Sequence, residues 1–221
     1  MEKENLWQAV LAQVQLSISQ ANFATWFKNT EIISLKEGGI VIYPTDTAYG
    51  IGCRIDDLLA VKRLFQIRKR PENQAVPVLV SSIEMAKKYY RSPLSDVVRH
   101  LMEDKWPGAL TIVNFCQDAN KYPLVCGGGN TIGIRMPNHE IALELIRSVG
   151  VAILGPSANF HGLPTPYLHE TIDNDLAGKA DYCVKGTCRL KQASTVADCS
   201  RSPYQIVRQG AVELETYKYE K

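Results

Sequence analysis

A chain of 221 residues, 45% hydrophobic and 22% charged, can bury a substantial core as one domain with a small appendage, and is neither disordered nor fibrous. No apolar run approaches the roughly 18 residues of a membrane-spanning helix, and the opening MEKENLWQAV lacks the basic flank and apolar centre of a secretion signal, so a cytoplasmic protein with no membrane partner is expected. A net charge of +2 is too small for a general nucleic-acid coat, and the six cysteines form no Cys-x-x-Cys pair, which argues against a zinc ribbon or a disulfide framework.

The chain opens with LWQAVLAQVQLSISQANFATWFKN, where Leu6, Trp7, Val10, Leu11 and Val14 have helical spacing. A second short helical segment follows around Phe23 to Phe27, with Ser19 or Asn22 as its cap. Residues 1–30 thus read as a helical appendage and residues 31–221 as the main domain. GGIVIYPTDTAYGIG then gives a buried strand that ends at Pro44, followed by a polar segment. Further strands are expected in AVPVLV, LTIVNF, TIGIRM, VAILGP, YCVKG, STVADC and QIVRQG. Helices are expected in IDDLLAVKRLFQIRK, SIEMAKKYYRS, LSDVVRHLMED, HEIALELIRSVG and HETIDNDLAGK. Several strands follow one another without a helix between them, which favours a mixed α/β sheet over a strict doubly wound one.

Familiar nucleotide signatures are missing, since there is no G-x-x-x-x-G-K-[ST] and GIGCRI does not complete G-x-G-x-x-G. The four histidines show no metal-ligand spacing, and no serine sits in a nucleophile elbow. What remains is a set of polar groups at strand ends: Thr45, Asp46 and Thr47; Arg68, Lys69 and Arg70 before Pro71; Thr111; Arg135 after a glycine run; Ser157 and Asn159; Ser194, Thr195 and Arg208. Ligands of open α/β sheets bind beyond strand ends, so convergence of these groups would form a polar pocket. Each has a plainer explanation as well: cations at a helix end complement its dipole, Gly127–Gly129 and PSAN make turns, and a buried arginine pairs with an acid.

The order of these segments resembles the YrdC/TsaC family of L-threonylcarbamoyladenylate synthases, carried by GGIVIYPTDTAYGIG, AVKRLFQIRKRPENQAVPVLVSS, KWPGALTIV, TIGIRMPNH, GPSANFHGLPTP, STVADC and IVRQGAV over about Ser34 to Val212. The resemblance implies an α/β fold with a YrdC-like twisted, mixed, open sheet flanked by helices. It implies that L-threonine, bicarbonate or CO2, and ATP accompanied by Mg2+ give threonylcarbamoyl-AMP and pyrophosphate. A tRNA threonylcarbamoyl transferase complex would take up the product for tRNA modification, and an RNA contact, including double-stranded RNA, is implied too. Carried over residue by residue, Arg68 and Arg70 are the catalytic pair, and Thr45, Thr47, Arg135, Gly155 and Ser194 hold L-threonine. Arg68, Lys69, Arg70, Asn73, Thr131, Ser157, Asn159, Thr165 and Arg208 hold ATP, and no metal ligand is implied in the chain itself. The sequence departs from the family at Arg68, where lysine is usual, and at Gln74 and Ala75-Val76, where lysine and Pro-Leu are usual. An alternative reading is a paralogue that binds nucleotide or RNA without synthesis. The first 35 residues resemble the opening helix pair of domain I of the replication initiator DnaA.

Overall fold

The structure, a computed structural model, describes residues 30–214; the helices expected between Leu6 and Phe27 lie outside the described residues. Residues 30–36 are helical and lead into a hairpin of β1 (Val41–Pro44) and β2 (Tyr49–Gly52), paired antiparallel from Val41↔Gly52 to Pro44↔Tyr49. The remaining elements are α1 (Leu58–Arg68), β3 (Val78–Leu79), α2 (Ile83–Lys87), α3 (Asp96–Lys105), β4 (Leu110–Phe115), β5 (Thr131–Arg135), α4 (Glu140–Val149), β6 (Ile153–Leu154), α5 (Asn174–Ala177), β7 (Tyr182–Cys183), β8 (Thr195–Asp198) and β9 (Gln205–Arg208).

The strands form two mixed sheets, β2-β1-β7 and β6-β3-β5-β4-β8-β9. β1 runs parallel to β7, β3 to β5 and β4 to β8, whereas the other pairings are antiparallel. The two sheets meet where β2 lies against β6. Bridges Gly50↔Ser157 and Arg54↔Ile153 cross this seam, together with the bonds from Leu154 N to Cys53 O (2.9 Å) and from Ile51 N to Pro156 O (3.0 Å). The mixed α/β expectation holds, with two joined sheets in place of one.

Local chemistry explains the differences from the sequence reading. Tyr49–Gly52 was expected as a polar segment after Pro44, yet it pairs as a strand because its glycines let backbones approach closely. A Cβ on Gly52 would lie 1.9 Å from the Leu154 carbonyl oxygen. The helix expected over HETIDNDLAGK is instead a 3-10 turn at His169–Thr171 and the short α5, because the Asp173 side chain accepts from Asp175 N and Leu176 N and starts a new helix there.

Two helices set the frame of the site. α1 starts at Asp57, whose carboxylate accepts from Leu59 N and Ala60 N, and ends at Lys69 in the left-handed region (φ 52°). The last turn closes through Lys69 N to Gln66 O and Arg70 N to Phe65 O, both 3.0 Å, so Arg68 ends the helix facing inward and Arg70 follows the turn. α4 buries Ala142, Leu145, Ile146 and Val149 against Val41 and Tyr43 of β1, and the larger core joins Ile42, Tyr49 and Ile51 of the small sheet to α1, α3 and the six-stranded sheet. Gly52→Ala should force the β2–β6 seam apart and lower stability by about 2–3 kcal/mol, read as a fall in the urea midpoint with an unchanged slope.

Candidate functional site

Residues 45–48 turn the chain from β1 to β2, and the Thr45 hydroxyl is consumed in making that turn. It donates to Ala48 O (2.7 Å), accepts from Thr47 N and Ala48 N (both 3.2 Å), and lies 3.0 Å from Thr47 Oγ1. Thr45 was expected to touch the amino acid; it lines the cleft, and its hydroxyl shapes the turn. That turn presents Thr47 and Asp46 to Arg135 at the end of β5. The Arg135 guanidinium donates to Thr47 Oγ1 (2.7 Å) and to the Asp46 carboxylate. Arg135 and Asp46 are buried, at 6% and 1% exposure, yet Arg135 Nε and Asp46 Oδ2 have no hydrogen-bond partner among the described residues. Burial pulls the Arg135 pKa below its usual value, while the Asp46 charge pulls it back up.

Arg68 forms a second polar group. Its Nε donates to Asn159 O (3.1 Å) and one terminal nitrogen to Asn159 Oδ1 (3.4 Å), while the other, Nη1, is buried without a partner. Burial first, and the neighbouring Arg70 charge second, lower its pKa to about 10. Asn159 is fixed in turn, accepting from Ser157 Oγ (2.5 Å) and donating to Leu163 O (2.5 Å). Arg70 donates to Gln74 O (3.1 Å) and Ala75 O (2.6 Å) and lies 3.3 Å from His161 Nδ1. On the opposite wall Arg208 donates to Ser194 O (3.0 Å) and Ser194 Oγ (3.1 Å), and Ser194 Oγ lies 2.9 Å from Thr111 Oγ1.

These groups converge on one cleft of about 210 Å³. Of the residues expected from sequence, Thr45, Thr47, Arg68, Arg70, Arg135, Gly155, Ser157, Thr165, Ser194 and Arg208 line it. Four do not. Lys69 is carried away by its left-handed turn and lies over the Phe160 ring (4.9 Å). Asn159 stands behind Arg68, and the Asn73 carbonyl sits against Gly127. Thr131 pairs with Phe115 at the far end of β5, four residues and so about 13 Å from Arg135. Thr111, named among the strand-end polar groups, lines the cleft as well, and Leu79 lines it without having been assigned to it, its sequence signal being a place on a strand expected to be buried. Gly155 is required by crowding, since a Cβ there would lie 2.4 Å from Leu79 Cγ.

Among the described residues, four arginines and no carboxylate line the cleft, and Asp46 stands behind Arg135. Such a surface suits a ligand with more than one anionic group. Residues 34–210 of this scaffold match the family model described as Telomere recombination, named for Sua5, YciO and YrdC. The chain belongs to the Sua5/YciO/YrdC family. A second match, to the DnaA N-terminal domain, covers residues 4–46, extending past the Leu35 limit expected from sequence into β1.

Among Sua5/YciO/YrdC relatives, the threonylcarbamoyl-AMP synthase of Bacillus subtilis is 34% identical over 182 residues, 82% of this chain and 52% of that protein. The structure of Pyrococcus abyssi Sua5 complexed with L-threonine superposes with a TM-score of 0.78 at 32% identity, covering 84% of this chain and 54% of that one. Escherichia coli YciO superposes with a TM-score of 0.75 at 25% identity, covering 85% and 90% respectively. The chain spans about half the length of the first curated synthases it matches.

Two outcomes follow for the site. Asp46→Ala should cost about 3–5 kcal/mol by leaving Arg135 buried and unpaired, and Thr47→Val about 1–3 kcal/mol, both measurable by urea unfolding. Inorganic pyrophosphate at 100 times its Kd should stabilise the fold by about 2.7 kcal/mol, and thermal melts at matched ionic strength in chloride should show no such gain.

Proposed function

We propose that this protein is an L-threonylcarbamoyladenylate synthase, and that the cleft joins L-threonine, bicarbonate or CO2, and ATP into threonylcarbamoyl-AMP with release of pyrophosphate. The observation that carries the reading is the cluster of four arginines lining a cleft that has no carboxylate among the described residues. The family membership, the named synthases and the L-threonine complex of a relative support it.

In this reading threonine and bicarbonate first lose water to give N-carboxy-threonine. Its new carboxylate oxygen attacks the α-phosphorus of ATP, the bond to the β-phosphate oxygen breaks, and pyrophosphate leaves with that electron pair. Two anions must meet, so fixed cations and donors matter more than an acid–base pair. Arg135, set by Asp46 and Thr47, holds the amino acid carboxylate, and Ser194 beside Thr111 holds the amino acid portion. Arg68 and Arg70 hold the phosphates and the charge that grows on them, with Ser157, Thr165 and Arg208 toward the nucleotide. Lys69, Asn73 and Thr131 then serve at most parts of the nucleotide that extend beyond the cleft. Mg2+ bound with ATP would screen the triphosphate; no carboxylate lines the cleft among the described residues, so phosphate and water oxygens would hold it. The product would pass to a tRNA threonylcarbamoyl transferase complex in the cytoplasm.

One observation favours a second reading, nucleotide or RNA binding without synthesis. Arg68, at the position where lysine is usual, has two of its three nitrogens engaged by Asn159, and Arg70 is engaged by Gln74 O, Ala75 O and His161. Fewer donors are then left for a transition state. Purified protein with ATP, Mg2+ and bicarbonate should release pyrophosphate only when L-threonine is added, and Arg70→Ala should reduce the rate about 10²–10³-fold. ATP binding without threonine-dependent release would instead establish the second reading.

A further inference from the structure

Three successive cations close the end of α1, and one turn meets them in register. Arg68 donates from Nε to Asn159 O (3.1 Å) and from Nη2 to Asn159 Oδ1 (3.4 Å). The Lys69 ammonium lies 4.9 Å from the centre of the Phe160 ring, and Arg70 Nη1 lies 3.3 Å from His161 Nδ1. The turn itself is a fixed mount. Ala158 N donates to Tyr49 O (2.8 Å) and Ser157 is bridged to Gly50, so β2 holds its start. Phe160 is buried in the larger core, and His161 N donates to Arg68 O (2.8 Å). Gly162, in the left-handed region (φ 84°), then turns the chain back so that Asn159 Nδ2 reaches Leu163 O.

We propose that His161 is the positioning residue of Arg70 and sets the plane of its guanidinium for a phosphate group. The inference rests on the reading of the cleft as a phosphate site. Arginine only donates, so Nδ1 is the acceptor in this contact and the ring carries its proton on Nε2. With the His161 backbone tied to Arg68 O, two side-chain torsions bring the ring to the guanidinium from a fixed origin. The other two holds on Arg70 are of a different kind. Gln74 O (3.1 Å) and Ala75 O (2.6 Å) belong to the loop that Arg70 itself begins, so they move with it. His161, 91 residues on in the sequence, ties the guanidinium to the mounted turn. Each of the three nitrogens thus has one N–H engaged, and of the five N–H groups of an arginine one is left on each terminal nitrogen, a fork that can meet two oxygens of one phosphate. His161 is exposed and stands outside the cleft lining, so it acts through Arg70 and not on a ligand directly.

Calorimetric titration of the full chain with inorganic pyrophosphate tests this. His161→Leu, which removes the acceptor and keeps bulk, should bind about three- to tenfold more weakly. His161→Asn, whose Oδ1 takes the place of Nδ1, should restore most of the affinity. In an Arg70→Ala background, His161→Leu should have no further effect, because its partner is gone. In the pyrophosphate-release assay His161→Leu should raise the KM for ATP by a similar factor and leave the KM for L-threonine where it is. Equal pyrophosphate affinity in His161→Leu, an asparagine variant as weak as the leucine one, or a full leucine effect without Arg70 would each overturn the proposal. Failure of the synthase reading shows separately: pyrophosphate binding without threonine-dependent release sinks that reading while the titrations still decide the role of His161. A protein that binds no pyrophosphate would overturn both.

Discussion

The buried ion pair of Asp46 and Arg135 is the constraint on which the cleft depends. It ties the β1–β2 turn of the small sheet to the end of β5 in the large one, at a point where both charges are almost wholly removed from water. Desolvating two charges costs several kcal/mol for each ion, and attraction repays this only with good geometry and satisfied remaining atoms. Thr47 supplies one further bond, and the Thr45 hydroxyl fixes the turn from which Thr47 projects. Arg135 Nε and Asp46 Oδ2 have no partner among the described residues.

The other arginines of the cleft are held differently. Arg68, Arg70 and Arg208 each donate to backbone carbonyls, of Asn159, of Gln74 and Ala75, and of Ser194. A carbonyl orients a guanidinium without cancelling its charge. Away from the cleft, Arg54 and Arg63 pair with the carboxylates of Asp56 and Asp181 and contribute little to the local field. The cleft therefore keeps its positive potential while its side chains are already in place, which is the arrangement that lowers reorganisation when charge develops in a ligand.

Much of this could be read from the residues. Short runs rich in Val and Ile gave most strands, and helical spacing gave α1, α3 and α4, because these signals depend on local periodicity. Tyr49–Gly52 was missed because its glycines act through the close approach of Leu154, more than a hundred residues away in sequence but adjacent in space. Strand ends pointed to Thr47, Arg135, Ser194 and Arg208, and a helix end to Arg68, all of which line the cleft. Lys69 and Thr131 do not line the cleft, for reasons a linear pattern does not carry: a left-handed residue turns Lys69 aside, and strand length separates Thr131 from Arg135. The division of labour between Thr45 and Thr47 depends on which hydroxyl closes the turn, which is likewise invisible before the backbone is known.

The hydroxyl pair of Thr111 and Ser194 has a consequence that comes from counting protons. Arginine only donates, so Arg208 occupies one lone pair of Ser194 Oγ. The two hydroxyls share one hydrogen bond between them, and neither has another protein partner among the described residues. Two protons with one mutual bond leave a proton over, whichever oxygen is the donor. The wall therefore offers a single O–H whose owner can exchange by concerted rotation, and any molecule resting there must bring a lone pair to it or leave that proton unmet.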